Sequence, residues 1–311
     1  MSYSKILVTG GCGFMGSAFI RRMSKKASLT NIDKLTYAGN LANVKGFSHK
    51  FVKGDIANKS LVEKAAKDAD VIVNYAAETH VDRSIKNAES FVKSNVLGTF
   101  VLLEAARKYD ARFIQISTDE VYGSAQQGKF SEFSPLQPNS PYAASKTSAD
   151  MFVRSFVQTY ELDAVIARSC NVFGPYQFPE KFMPLSITNI LQGRKIPIYG
   201  DGKNVREWIY VDDHASAIEF IMNSVREKII NIGTGNEKRN VEVARLVLSL
   251  LGMQENMLEF VADRKGHDYR YAMDWRVLSR LGWKPEHKFE DGLQRTINWY
   301  KENEKWWKPL L

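Results

Sequence analysis

Cysteine is nearly missing: Cys12 and Cys170 are the only two in 311 residues. Two thiols in a chain of this length build no disulfide framework, and the setting they predict is a reducing cytoplasm. Long apolar runs are missing too. Nothing approaches the roughly 18–20 consecutive apolar residues of a membrane helix, so no membrane partner is expected. The start carries one lysine and then only Ile6-Leu7-Val8, which reads as no secretory leader. There is no dense basic block either. The net charge is +8, from 43 Lys and Arg against 35 Asp and Glu, but the cations are spread along the chain. That distribution predicts a solvated surface with a mild preference for anions, not a nucleic-acid site. Metal-ligand spacing is absent as well. Glu78, His80 and Asp82 alternate, and Asp212-Asp213-His214 cluster, but neither set has His-Glu-x-x-His or paired-cysteine spacing, so no metal is expected.

What the chain does have is an ordinary globular balance, 44% hydrophobic and 25% charged, which is enough apolar material for a large core. Short β-branched runs alternate with amphipathic stretches through the first half. Lys5–Thr9, Leu29–Asp33, Lys50–Lys53, Val71–Tyr75, Arg112–Ser117 and Ala164–Ser169 read as strands. Phe14–Lys26, Lys59–Lys67, Glu89–Tyr109 and Pro141–Tyr160 read as helices. Such alternation predicts a parallel sheet covered on both faces. After residue 170 prolines and glycines loosen the rhythm. Helices are expected near Lys181–Leu191, Asp213–Asn223, Val241–Leu251, Trp275–Leu281 and Gly292–Glu304, with a strand at Lys228–Ile232. Trp283, Trp299, Trp306 and Trp307 are expected to pack this smaller α+β lobe.

The first strand runs into Gly10-Gly11-Cys12-Gly13-Phe14-Met15-Gly16 and then a helix. Gly10 permits the tight turn, Gly13 lets backbone approach a pyrophosphate, and Gly16 lets the helix pack close. The helix N-terminus adds amide donors and positive potential. Asp33 ends the second strand, where a carboxylate accepts a ribose 2′-hydroxyl and repels a 2′-phosphate. The implied cofactor is NAD rather than NADP. The fold class is α/β, a Rossmann-type doubly wound parallel sheet with a smaller α+β substrate-binding lobe. Residues 1–173, with 208–234 returning to them, are expected to form the NAD-binding domain, and 174–207 with 235–311 the smaller lobe.

Ser140-Pro141-Tyr142-Ala143-Ala144-Ser145-Lys146 reads as a helix start, with Ser140 as N-cap and Pro141 at the first helical position. Tyr142 and Lys146 then share a face. A nearby ammonium and the positive end of the helix favour the phenolate, so Tyr142 can take the proton of a hydroxyl undergoing oxidation. Tyr-x-x-x-Lys also occurs by chance on helix surfaces. It gains weight here because it follows a dinucleotide turn and alternating strands.

The strand at Arg112–Ser117 ends in Thr118-Asp119-Glu120. The C-terminal edge of a parallel sheet is where ligands bind in this architecture. Two adjacent carboxyl groups there suit the elimination of water. One stays protonated to donate to the leaving hydroxyl, and the other stays ionised to remove a carbon-bound proton. An isolated Asp-Glu pair would otherwise read as a solvated turn.

These motifs sit among longer strings: 31–40 (Asn31 to Asn40), Ala76-Ala77-Glu78-Thr79-His80-Val81-Asp82-Arg83-Ser84, Gln177-Phe178-Pro179-Glu180-Lys181, Tyr199-Gly200-Asp201-Gly202, Val211-Asp212-Asp213-His214 and Gly266-His267-Asp268. With them the whole chain resembles the dTDP-glucose 4,6-dehydratase family, in the extended, nucleotide-sugar-modifying branch of the short-chain dehydrogenases/reductases. The resemblance implies tightly held NAD contacted by Gly10, Gly13, Phe14, Met15, Gly16, Asp33, Lys34, Thr36, Asp55, Ile56, Ala76, Ala77, Tyr142 and Lys146. It implies a dTDP-glucose substrate oxidised at C4 through Tyr142, Lys146 and Thr118. Glu120 would then take the C5 proton while Asp119 protonates the 6-hydroxyl. It implies a diphosphate and ribose held by Asn171, Arg206, Asn240, Arg264 and His267, a base held by Lys181, Pro197 and Tyr199, and a sugar bordered by His80 and Val81. It also implies a homodimer through a four-helix bundle. The chain departs from the family pattern at Cys12, Val172, Phe182 and Lys265, and the base stays open between thymine and uracil. A 4-epimerase or decarboxylase on the same scaffold would keep Tyr142 and Lys146 without needing Asp119-Glu120, and a non-catalytic NAD-sensing module would need neither pair.

Overall fold

The computed structural model describes residues 3–263 and 266–311. The strands, in chain order, are β1 (Lys5–Thr9), β2 (Ser28–Asp33), β3 (Lys50–Lys53), β4 (Val71–Asn74), β5 (Arg112–Thr118), β6 (Ala164–Ser169), β7 (Asn171–Phe173), β8 (Ile196–Tyr199), β9 (Val205–Tyr210), β10 (Ile229–Ile232), β11 (Glu237–Arg239) and β12 (Leu258–Val261). The helices are α1 (Phe14–Met23), α2 (Lys59–Ala66), α3 (Val81–Lys86), α4 (Glu89–Phe91), α5 (Gly98–Lys108), α6 (Pro141–Tyr160), α7 (Phe182–Leu191), α8 (Val211–Ser224), α9 (Asn240–Leu250), α10 (Arg276–Arg280), α11 (Phe289–Glu302) and α12 (Glu304–Trp307).

Seven strands form one sheet in the order β10-β6-β5-β4-β1-β2-β3, every pairing parallel. The order reverses direction beside β1, so the crevice beyond the C-terminal ends of β1 and β4 is the switch point where ligands bind in such sheets. The interior strands β4 and β6 are buried at every position, and all their residues but Asn74, Arg168 and Ser169 are apolar, as burial on both faces favours.

One helix differs from its sequence pattern. Glu89–Tyr109 was expected as a single α-helix, but a π turn, Val92–Leu97, separates α4 from α5. The wider turn lets Asn95 face inward, where it is buried. Its side chain accepts from the Glu78 amide at 2.9 Å, and donates to the Glu78 carbonyl at 3.0 Å and to Ser145 Oγ at 2.8 Å. A local kink thereby ties the loop after β4 to the start of α6.

The lobe consists of a three-stranded sheet β11-β9-β7, the pair β12-β8, and α7, α9 and α11. Its own apolar cluster includes Met183, Ile187, Val243, Val247, Leu293, Tyr300 and Trp307, with Trp299 and Trp306 packed on it. Trp283 departs from the expected lobe packing. Together with Met273 and Leu278 it joins the large-sheet core, and its indole donates to Ser216 Oγ of α8 at 3.0 Å. The segment before α11 therefore folds back over β10 before the chain re-enters the lobe.

Candidate active site

Two glycines make the turn after β1 possible. Gly10 has φ +67°, and a Cβ there would lie 2.7 Å from the Ala76 backbone. At Gly16 a Cβ would lie 2.4 Å from the Gly10 carbonyl oxygen, so only glycine lets α1 start against the turn. Gly13, the residue before α1, is different: only the Gly10 carbonyl oxygen is near its missing Cβ, at 3.2 Å, and its face toward the crevice is open. The Asp33 carboxylate buttresses the turn, accepting from the Cys12 amide and the Leu35 amide, both at 2.8 Å. Burial nonetheless pushes the Asp33 carboxyl above its ordinary value, against those two amide bonds. Lys34 is engaged with Asp55 at 2.8 Å. Despite partial burial, that lysine and the Ala57 amide hold the Asp55 carboxyl below the ordinary range.

From this turn a continuous cleft of about 1590 Å³, counted out to its open mouth, runs along the sheet edge. Its walls include Gly10, Gly13, Phe14, Met15, Gly16, Asp33, Lys34, Thr36, Asp55, Ile56, Ala76 and Ala77 at one end. Thr118, Asp119, Glu120, Tyr142 and Lys146 line it at the other. The open glycine face, the acid at the end of β2 and the length of the groove fit a dinucleotide lying across the turn.

At the far end, α6 begins as its sequence predicts: Ser140 Oγ accepts from the Ala143 amide at 3.1 Å, with Pro141 in the first turn. Ser84 of α3 braces it, accepting from the Tyr142 amide at 3.1 Å. Lys146 is fully buried and its Nζ donates to the Ile116 carbonyl of β5 at 2.6 Å. Burial lowers the Lys146 ammonium to about 8, with the Asp150 charge opposing. The Tyr142 phenol moves the other way from the expectation of a resting phenolate. Burial and then the Glu120 charge push it well above its ordinary value, and the Thr118 hydroxyl only partly offsets them. The ammonium and helix end were the forces visible in sequence, but burial and the charges of Glu120, Asp119 and Asp150 outweigh them.

The adjacent acids differ in environment. Asp119 is buried, accepts from Thr118 Oγ1 at 3.2 Å, and has its second oxygen without a partner. Burial, followed by repulsion from Glu120, raises its carboxyl well above the ordinary range. That shift favours the protonated form, which has a proton to give. Glu120 is half-buried on the cleft wall, its amide held by Thr118 Oγ1 at 3.2 Å.

The nucleotide candidates divide. Asn171 and Lys181 line the cleft. Lys181 Nζ donates to the Thr79 carbonyl at 2.8 Å, and Asn171 Oδ1 is buried without a partner. His80, Val81, Pro197, Tyr199, Arg206, Asn240 and His267 do not form the cleft wall. His80 and Val81 lie at the start of α3. Arg206 is pinned in the lobe, donating to the carbonyls of Val205 at 2.7 Å and Asp268 at 2.9 Å while lying 4.2 Å over the Tyr271 ring. His267 meets Asp263 at 2.6 Å and stands edge-on to Tyr199. Asn240, at the start of α9, donates its amide to the Asn204 carbonyl at 3.0 Å. Pro197 sits on β8 opposite Glu259. Arg264 lies outside the described residues. These lobe groups still reach the chemistry electrostatically: Arg206 works against the rise of Asp119, and the Glu120 charge raises the Tyr271 phenol. Among the described residues, no three His, Cys, Asp or Glu side chains converge as metal ligands do.

Sequence reasoning did not assign Tyr37, Glu78, Thr79, Gln177, Phe178 and Glu180 to the cleft, yet all line it. The signal for Glu78 and Thr79 was their place directly after Ala76-Ala77. Asn95 and Ser84 left no such signal, because both act through contacts with residues far away in the chain.

Residues 7–296 match the family described as GDP-mannose 4,6 dehydratase. The low-salt glycan biosynthesis protein Agl12 of Haloferax volcanii is 49% identical over 306 residues, 95% of this chain and 98% of that protein. The dTDP-glucose 4,6-dehydratase of Streptomyces niveus is 45% identical over 320 residues, covering 98% and 95%. The crystal structure of DesIV, a dTDP-glucose 4,6-dehydratase from Streptomyces venezuelae with NAD bound, aligns with a TM-score of 0.97 at 46% identity, covering 99% of this chain and 100% of that one. A UDP-glucose 4-epimerase from Thermotoga maritima aligns with a TM-score of 0.92 at 28% identity, covering 96% and 99%.

Proposed function

The chain belongs to the GDP-mannose 4,6 dehydratase family, and we propose from that premise that it is an NAD-dependent hydro-lyase converting dTDP-glucose to dTDP-4-keto-6-deoxyglucose and water. The observation that carries the reading is the meeting of Thr118, Asp119, Glu120, Tyr142 and Lys146 at one end of a cleft that begins at the glycine turn. Near-full-length similarity to dTDP-glucose 4,6-dehydratases supports the substrate.

NAD, when bound, accepts the C4 hydride and returns it to C6, and its nicotinamide charge favours the phenolate that burial disfavours. Tyr142 receives the 4-hydroxyl proton, with Thr118 sharing the hydrogen bond. Lys146, locked to the Ile116 carbonyl, supplies the positive charge behind it. The 4-keto group acidifies C5–H, and Glu120, at the half-exposed wall, takes that proton and gives it back to C5 when hydride reaches C6. Asp119, whose protonated form burial favours, donates to the departing 6-hydroxyl and makes it water. Asn171 and Lys181 would meet the nucleotide from the cleft wall, and Arg206, Asn240, His267, Tyr199 and Pro197 from the lobe.

The second reading, 4-epimerisation, draws on the likeness to the UDP-glucose 4-epimerase; it gives no task to a protonated acid beside a half-exposed one. Incubating the purified protein with dTDP-glucose and with UDP-glucose, without added cofactor, and weighing the products separates the two. Loss of one water is expected with dTDP-glucose, and products of unchanged mass would overturn dehydration.

No helix among the described residues is long and apolar enough to cross a membrane. We further propose a cytoplasmic homodimer. The exposed Val92, Leu97, Phe100, Met151 and Phe152 on the π turn, α5 and α6 give a second copy an apolar face to cover.

A further inference from the structure

We propose that Arg83 is a cofactor-retaining residue: with Tyr37, Phe178 and Glu180 it forms a clasp across the cleft that slows the escape of a bound dinucleotide. The inference rests on the NAD site proposed above. The clasp draws on segments far apart in sequence: the loop after β2, helix α3, and the stretch before α7. The Arg83 guanidinium lies 3.9 Å from the centroid of the Tyr37 ring. Its NH2 group is 3.0 Å from Glu180 Oε2, and its Nε donates to the same oxygen at 3.1 Å, across 97 residues of sequence. Tyr37 in turn stands edge-on to Phe178, with centroids 5.3 Å apart and an interplanar angle of 87°. A second tie runs alongside, from Lys181 Nζ to the Thr79 carbonyl at 2.8 Å.

These groups form a wall with two faces. Tyr37, Phe178 and Glu180 line the cleft, whereas Arg83 does not and is half-exposed on the outside. Arg83 thus touches the inner residues from behind, joining the sheet side of the cleft to the lobe side. The Tyr37 phenol is raised by burial and then by Glu180, so a neutral ring presents its π face to the cation. The segments that carry the two rings are also held in costly backbone shapes. Leu35 and Tyr176 have φ of +55° and +68°, in the left-handed region that bulky side chains avoid. Asp33 holds the first through the Leu35 amide at 2.8 Å. The second is held by Trp299, whose ring lies 4.5 Å from that of Tyr176. A dinucleotide lying from the glycine turn to Tyr142 passes beneath this wall, and leaving the cleft requires the wall to part.

The test is the NAD dissociation rate, read by chasing the NAD-loaded protein with excess fluorescent etheno-NAD. Arg83→Gln removes the cation–π contact and the ion pair together, and is expected to speed release about tenfold. Glu180→Gln cuts the same ion pair from the lobe side and is expected to speed release in the same direction, by a smaller factor. Arg83→Lys, which keeps the charge but loses the planar stack, should fall between parent and Arg83→Gln. Release from Arg83→Gln within twofold of the parent overturns the clasp while leaving the NAD site standing. A parent protein that binds no NAD overturns both the clasp and the reading it rests on.

Discussion

On the cofactor side of the cleft, Gly10 to Gly16, Asp33 to Thr36, Asp55-Ile56 and Ala76-Ala77 come from the ends of successive sheet strands. On the lobe side, Tyr199, Arg206, Asn240 and His267 are bound into their own lobe by carbonyls, amides and each other. The first set is shaped by the backbone itself, with Gly10 and Gly16 at positions where a Cβ has no room. The second is a set of side chains held by local partners within the lobe. The cofactor side is therefore preorganised, and the lobe side is expected to respond to substrate.

That contrast can be broken by experiment. The largest effect belongs where the two sides meet. Tyr142→Phe, which leaves packing intact and removes the proton acceptor, is expected to lower kcat by about 10³-fold or more; turnover within tenfold of the parent would remove Tyr142 from the chemistry. Next, Glu120→Gln is expected to lower overall turnover about 10²-fold while still allowing absorbance of reduced cofactor to develop on mixing with dTDP-glucose. Normal release of water from this variant would reassign the C5 base.

Lys146 gives a graded effect. Because burial places its ammonium at about 8, kcat is expected to fall about tenfold per pH unit above that value as the charge behind Tyr142 is lost; a profile flat through it would discount the lysine's charge. The stability sign is separate. The folded value lies below the unfolded one, so the unfolded chain binds more protons between about 8 and the ordinary lysine value. The group's destabilising effect is full below that window and is relieved as pH rises through it. The smallest effect is expected on the lobe side, where Tyr199→Ala should raise KM for dTDP-glucose about threefold, in keeping with loss of one half-exposed aromatic contact. A KM effect larger than the cost of Tyr142→Phe would mean the lobe, not the sheet edge, dominates recognition of the transition state.

The chain announced much of the frame. β1, β3 and β6 and helix α6 lie where the apolar runs and the Ser140-Pro141 start placed them, because strand period and capping are local properties. Helix α3 and strands β7, β8, β9, β11 and β12 went unread, since segments this short carry no period strong enough to mark them. Trp283 read as a lobe residue because nothing in its neighbourhood reveals that its partner is Ser216.

Sequence alone determined the turn, a parallel sheet and the chemical inventory: a glycine run after β1, an acid at the end of β2, a tyrosine and a lysine one turn apart, and two acids after β5. Tertiary structure alone decided the charge each one carries and what it touches. Burial raises Asp119 and Tyr142 and lowers Lys146, and Arg83 finds Glu180 only in the folded chain. Desolvation and long-range contact depend on what surrounds a group in space, and spacing along the chain carries no record of that.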